Sequence, residues 1–154
     1  MSCMAKCLLK LWDNLMKILI VNGVNIRRIG NREKSIYGQQ SYAEMMDEIS
    51  AFAKKCGAEV EIFQSDHEGE LVERICNTDY DALVLNAGAY THTSVAITDA
   101  LRYVTLPKIE VHISNLFGRE DYRKILTGGA TNGVIAGFGI DSYKLAIIKL
   151  TEEL

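Results

Sequence analysis

The stretch KILIVNGVNIRRIGNREKSIYG (residues 17–38) opens on an uninterrupted apolar run, Ile18 to Val21, and leaves it through a segment rich in Asn, Gly and Arg. A strand that is hydrophobic at every position is covered on both faces, as in a parallel sheet flanked by helices. The chain downstream repeats the theme. SYAEMMDEISAFAKKCG (41–57) puts Tyr42, Met45, Met46, Ile49, Phe52 and Ala53 at helical spacing, with Ser41 and Glu44 placed as a capping box and Gly57 as the stop. AEVEIFQS (58–65) reads as a second strand, HEGELVERICN (67–77) as a short amphipathic helix and DALVLNAG (81–88) as a third strand. THTSVAITDALRYV (91–104) is predicted helical after its Thr/Ser cap, and LPKIEVHIS (106–114) is a fourth strand. REDYRKIL (119–126) reads as a short helix or turn, NGVIAGFG (132–139) as a fifth strand and DSYKLAIIKLTEEL (141–154) as the closing helix.

Five strands alternating with helices predict an α/β fold: a five-stranded parallel sheet with helices on both faces, in a flavodoxin-like, doubly wound order. Residues 16–154 are expected to form a single flavodoxin-like domain. Residues 1–15 read as a flexible N-terminal extension. Their apolar part, LLKLW, is short, carries Lys10 and precedes no small-residue cleavage site, while Met16 reads as a natural start.

Composition narrows the function classes. The 154 residues carry a net charge of −3, with 48% hydrophobic and 24% charged residues, as in an ordinary soluble globular protein. No basic excess marks a dedicated nucleic-acid or anionic-membrane binder. No apolar run reaches the roughly 20 residues of a membrane span. Cys3, Cys7, Cys56 and Cys76 form no CxxC pair, so they read as free thiols in a reducing, cytoplasmic setting.

In sheets of this type ligands bind beyond the carboxyl ends of the strands. All three histidines, His67, His92 and His112, fall in segments at those ends, together with Asn22, Asn25, Asn86, Ser94, Ser114, Asn115 and Arg119. His67 reads as a helix opener, and His92 either as a local cap or as a site group. Glu110 and His112 are two apart on a strand and project to the same side, so the carboxylate can orient the imidazole and favour its protonated form. That pair is either structural or functional on spacing alone. Glu110, His112 and His92 match no familiar metal-ligand spacing, and no phosphate loop or nucleophile elbow is present, so neither metal nor cofactor is expected. The loop that follows the first strand is about fifteen residues long, more than this architecture needs. It is either a solvated basic loop with Tyr37 packed at the helix entry, or a site element. In the second case the Arg32 guanidinium lowers the Tyr37 phenol and makes it a base.

NGVNIRRIGNREKSIYG resembles the N-terminal signature of the type II 3-dehydroquinate dehydratases, NGPNLNxLGxREPxxYG. The likeness continues through QSDHEGELVERI, LVLNAGAYTHTSVAITDAL, IEVHISNLFGREDYR and NGVIAGFG, so it spans the chain from Lys17 to the last helix. The resemblance implies cofactor-free dehydration of 3-dehydroquinate to 3-dehydroshikimate through an enolate, in the shikimate pathway or in quinate catabolism. It implies Tyr37 as base, Arg32 keeping it ionised, Asn25 at the enolate, His112 as acid and Glu110 orienting it. It places Asn86, His92, Asp99, Arg119 and Arg123 at the substrate, with the backbone N–H groups of Ile113 and Ser114 on its carboxylate. It also implies a homo-dodecamer, a tetramer of trimers, with Asp99 near a subunit boundary. Two other readings compete: a non-catalytic module binding a flavin or nucleotide, and a lyase or isomerase acting on a related cyclic hydroxy-acid. Val24 and Lys34 stand where the resembled pattern has prolines, and Arg27 and Arg28 add charge, which together predict a more mobile loop over the site.

Overall fold

The computed structural model describes residues 15–30 and 40–152. Within these, five strands form one parallel sheet: β1 (Met16–Val24), β2 (Ala58–Gln64), β3 (Ala82–Gly88), β4 (Lys108–His112) and β5 (Gly133–Ala136). Four helices connect and close them: α1 (Tyr42–Lys55), α2 (Glu68–Cys76), α3 (Val95–Tyr103) and α4 (Asp141–Thr151). The strand order is β2-β1-β3-β4-β5. The chain first steps outward from β1 to β2, then returns past β1 to β3, which puts the switch in direction between β1 and β3. The expected flavodoxin-like sheet is therefore observed.

Alternation along each strand decides which helix covers which face. Ile18 and Ile20 of β1 with Ala82 and Val84 of β3 pack against Met45, Ile49 and Ala53 of α1 and Tyr143, Ala146 and Ile147 of α4. Leu19 and Val21 with Leu83, Leu85 and Ala87 pack on the other side against Leu71 and Ile75 of α2 and Ile97 and Leu101 of α3. Ile18 to Val21 are all fully buried, which is why that run is apolar throughout.

Strong local signals translate directly into structure. Ser41 Oγ accepts from the Glu44 backbone N–H while the Glu44 carboxylate accepts from the Ser41 N–H, so α1 starts on a complete capping box. Segment 119–126 forms turns rather than a helix. The expected helix over 91–104 divides: a 3-10 turn spans Ala89–His92, and α3 begins after Ser94, whose Oγ accepts from Ile97 N–H at 2.8 Å. The break starts at Gly88, whose φ of +62° a side chain rarely adopts; a Cβ there would lie 2.4 Å from the Val24 carbonyl oxygen. Close approach of β1 and β3 thus begins where the chain enters the site. The expectations for residues 1–14 and for Arg32, Lys34 and Tyr37 lie outside the described residues; Val24 ends β1, opposite Gly88.

Candidate active site

The carboxyl ends of β1, β3 and β4 enclose a cavity. Asn25 and Ile29 border it after β1, Asn86 and His92 from the end of β3 onward, and His112, Ile113 and Ser114 from the end of β4 onward. Arg119 and Arg123 close it from the loop after β4. Eight of the residues expected from sequence thus come together. Asp99 does not: it is an exposed residue of α3, paired with Arg102 at 3.4 Å.

β4 supplies a fully buried part of the wall. Its Ile109 and Val111 enter the core beneath α4, so Glu110 and His112 both project to the opposite face. His112 Nε2 lies 2.7 Å from Glu110 Oε1. Thr91 Oγ1 donates to the same oxygen at 2.5 Å, and Thr127 Oγ1 donates to Oε2 at 2.6 Å. The carboxylate accepts from both hydroxyls and the ring while fully buried, and the ring is only 5% exposed. Using Nε2 for Glu110 leaves Nδ1 as the nitrogen available for chemistry, since no described side chain or backbone group bonds to it.

His92 is oriented by a different device. Its Nδ1 lies 2.8 Å from the Lys124 carbonyl oxygen, which can only accept. Nδ1 therefore carries hydrogen, and Nε2 is left for the cavity. His92 is a site-lining group rather than a cap, and His67 stands at the N-cap of α2 without a side-chain capping bond.

Asn25 sits in the left-handed region with φ +67°, the one described non-glycine residue with positive φ. Asparagine tolerates that conformation better than most residues. Asp66, two residues past β2, holds it there by accepting from the Asn25 backbone N–H at 2.9 Å. Arg27 bonds the other Asp66 oxygen at 2.6 Å, and Arg28 donates to Asn25 Oδ1. A guanidinium only donates, so the amide oxygen must face Arg28, which leaves the Asn25 NH2 as a donor. The Asn25 N–H, followed by Arg27, the Gln64 amide and Arg28, holds the Asp66 carboxyl below its ordinary range.

At the mouth, Arg119 Nε and Arg123 Nε both bond Glu120 Oε2, at 3.2 and 2.6 Å. Its own backbone N–H and the two guanidiniums hold the Glu120 carboxyl down at about 2. Gly30 and Gln40, which bracket segment 31–39, meet beside this cavity. A Cβ on Gly30, with φ +89°, would lie 2.7 Å from the Gln40 carbonyl oxygen, and Ile29 next to it lines the wall.

Several contributors are not singled out by the sequence as site residues. Thr91, Thr127 and Asp66 act through side-chain pairings 17 to 41 residues apart. Asp66 and Thr91 lie within the motifs QSDHEG and YTHTS; nothing in the sequence marks Thr127. Among the described residues no cluster of three or more His, Cys, Asp or Glu side chains is arranged to hold a metal ion, and no helix is long and apolar enough to cross a membrane.

Comparison with known proteins matches residues 16–151 to the model of the family described as dehydroquinase class II. A 3-dehydroquinate dehydratase of Thermotoga neapolitana is 48% identical over 133 residues, covering 86% of this chain and 92% of that protein. The solved type II dehydroquinase of Butyrivibrio crossotus superposes with a TM-score of 0.86 at 43% identity, over 89% of this chain and 98% of the other. That of Propionibacterium acnes gives the same TM-score at 34% identity, over 91% of this chain and 100% of the other.

Proposed function

This chain belongs to the class II dehydroquinase family, and on that premise we propose that it dehydrates 3-dehydroquinate to 3-dehydroshikimate without a cofactor. The observation that carries the reading is the buried Glu110–His112 pair at the cavity wall. It is an acid oriented by a carboxylate and open to a ligand through its other nitrogen.

In the proposed reaction the Tyr37 phenolate removes a proton from the carbon next to the ketone. The electron pair moves into the carbonyl to give an enolate. Asn25 stabilises the enolate oxygen with its NH2 hydrogens, directly or through a water. The enolate then reforms the ketone and expels the β-hydroxyl from the opposite face, and His112 gives it the proton that makes it water. Arg32 acts by favouring the ionised phenol, since a cation beside a phenol lowers its pKa. What supports a role for Tyr37 is that Gly30 and Gln40, on either side of its segment, meet beside the cavity.

The remaining assignments follow the chemistry of a polyhydroxylated carboxylate. Backbone N–H groups of Ile113 and Ser114 receive the carboxylate, while Asn86, His92, Arg119 and Arg123 face the ring and its hydroxyls. Asp99, exposed in this chain, reaches a neighbouring subunit's site in the proposed dodecamer. Native mass measurement tests that assembly, and cytoplasmic residence is proposed with it.

The direct assay follows the conjugated enone that appears when 3-dehydroquinate is added to purified protein. Tyr37→Phe and His112→Ala are each expected to lower kcat by about 10²- to 10⁴-fold, the usual contribution of a positioned base or acid. Full activity in either variant breaks the mechanism, and no enone with the wild type breaks the assignment itself.

A further inference from the structure

Behind the cavity, a chain of hydrogen bonds runs through the apolar core. Asn86 Nδ2 donates to the Tyr143 hydroxyl at 2.7 Å, and that hydroxyl donates to Asn22 Oδ1 at 2.7 Å. Asn22 Nδ2 then donates to the Tyr42 hydroxyl at 3.1 Å and lies 3.4 Å from Met46 Sδ. Asn22 and Tyr143 are fully buried and Asn86 is 2% exposed. Their neighbours are otherwise apolar residues of β1, β3, α1 and α4. Polar groups in such a place persist only as a satisfied set, and no fully buried side-chain nitrogen or oxygen among the described residues lacks a partner.

The direction of this chain is fixed by its end groups. The Met46 sulfur can only accept, so the nitrogen of Asn22 faces it and the oxygen faces Tyr143. Tyr143 has one hydrogen, because burial pushes its phenol far above the ordinary range and keeps it protonated. That hydrogen goes to Asn22, so Tyr143 must receive one from Asn86. The Asn86 NH2 is therefore turned into the core. Its Oδ1 meets the Gly88 N–H at 3.3 Å, and Gly88 itself borders the cavity.

We propose that Tyr143 is a positioning residue that locks the Asn86 amide with its oxygen toward the cavity, so that Asn86 accepts a hydrogen bond from a ligand hydroxyl. This rests on the activity reading for the ligand's identity, a cyclic polyol, but the amide orientation stands apart from it. The same chain ends at Tyr42, the first residue of α1, two residues past Gln40. Removing the Tyr143 hydroxyl leaves the amide free to rotate, at almost no change in volume.

The test uses purified full-length protein carrying Tyr143→Phe, Asn86→Ala or both. Tyr143→Phe is expected to raise KM for 3-dehydroquinate by about tenfold, the scale of one well-placed hydrogen bond. kcat and the pH profile should stay close to wild type. The double variant should be no worse than Asn86→Ala alone, since coupled residues are not additive. Tyr80→Phe, which removes a buried hydroxyl bonded to the Ile75 carbonyl at 2.6 Å, should lower Tm without raising KM. Exchange protection of the Asn86 side-chain amide, followed by NMR, should be lost in Tyr143→Phe. A wild-type KM in Tyr143→Phe, multiplied effects in the double variant, or unchanged amide protection overturns the proposal. An inactive wild type whose Asn86 amide still loses protection in Tyr143→Phe would overturn the activity reading and support the positioning role. Should Tyr143→Phe not fold, Tyr42→Phe releases the chain at its half-buried end and carries the same readouts, with about a threefold rise in KM.

Discussion

Glu110 lies on one of the strands that flank the β1–β3 pair and Asp66 just past the other, and each holds one cavity residue, yet they do so in opposite environments. Glu110 is fully buried and surrounded by neutral hydroxyls and an imidazole, on a strand fixed by the sheet. Asp66 keeps 17% of its side chain exposed and is surrounded by two arginines, the Gln64 amide and a backbone N–H, on the turn that follows its strand. In the interior a carboxylate must have every lone pair engaged, because desolvation without partners is severe. At the surface water supplies whatever is missing, so charges add little and are screened. The contrast predicts that damage at Glu110 is large and indifferent to salt, whereas damage at Asp66 is small and sensitive to it.

The largest effect should come from Glu110→Gln. The substitution keeps the shape but replaces an acceptor on one side by a donor, so His112 or a threonine loses its partner. kcat is expected to fall by about 100-fold, within the range of acid–base catalysis, with much less change in KM. Chemical denaturation should show a loss of roughly 1–3 kcal/mol for the unsatisfied buried group. A wild-type kcat in the Glu110→Gln variant would mean that the imidazole needs no orienting carboxylate. Thr127→Val comes next. It removes one donor from Glu110 Oε2 without changing the backbone or much volume. Stability should drop by about 1–3 kcal/mol, with kcat falling less than about tenfold because the bond from His112 survives. If Thr127→Val proves neutral in melts, Glu110 is not held as its surroundings suggest.

The two regions also differ in how far they could be read from sequence. The Glu110–His112 pair follows from strand alternation, since residues two apart share a face whatever surrounds them. The parallel α/β sheet likewise follows from five apolar runs separated by helical patterns, whereas its order β2-β1-β3-β4-β5 is read from the strand pairing itself. Residues contributed by a single strand end, such as Asn25, Asn86 and Ser114, were located because the fold rule sends strand ends to one edge. Thr127 and Tyr143 are not legible in this way, because their partners lie 17 and 121 residues away and neither sits at a spacing that marks a function. Tyr143 looks like one more apolar residue on a closing helix, and only packing reveals what its hydroxyl meets. The division of 91–104 into a 3-10 turn and a helix is not legible in the sequence for a related reason. It is set by the contact between Gly88 and the end of β1, not by local propensity.

The smallest effect, and the sharpest test of the contrast, lies at Asp66. Asp66→Ala removes the acceptor that holds the Asn25 N–H and the anchor of Arg27. Since water can replace both, the loss of stability should stay below about 1 kcal/mol, while KM rises a few-fold as Asn25 leaves its left-handed conformation. The pH dependence has a definite sign. The Asn25 N–H and the arginines depress the carboxyl below its ordinary value of 3.8 in the folded protein. A depressed acid stabilises the fold fully above that ordinary value, and its contribution is lost as pH falls through the folded value. The Asn25 backbone amide should therefore shift in NMR spectra only below about pH 4. Raising salt from about 0.1 M to about 1 M should move that midpoint upward by screening the arginines, although the bond from the Asn25 N–H, the larger cause, will persist. A midpoint that ignored salt altogether would place the whole effect on the neutral donors, the Asn25 N–H and the Gln64 amide, and Arg27 would then be ornamental to the clamp.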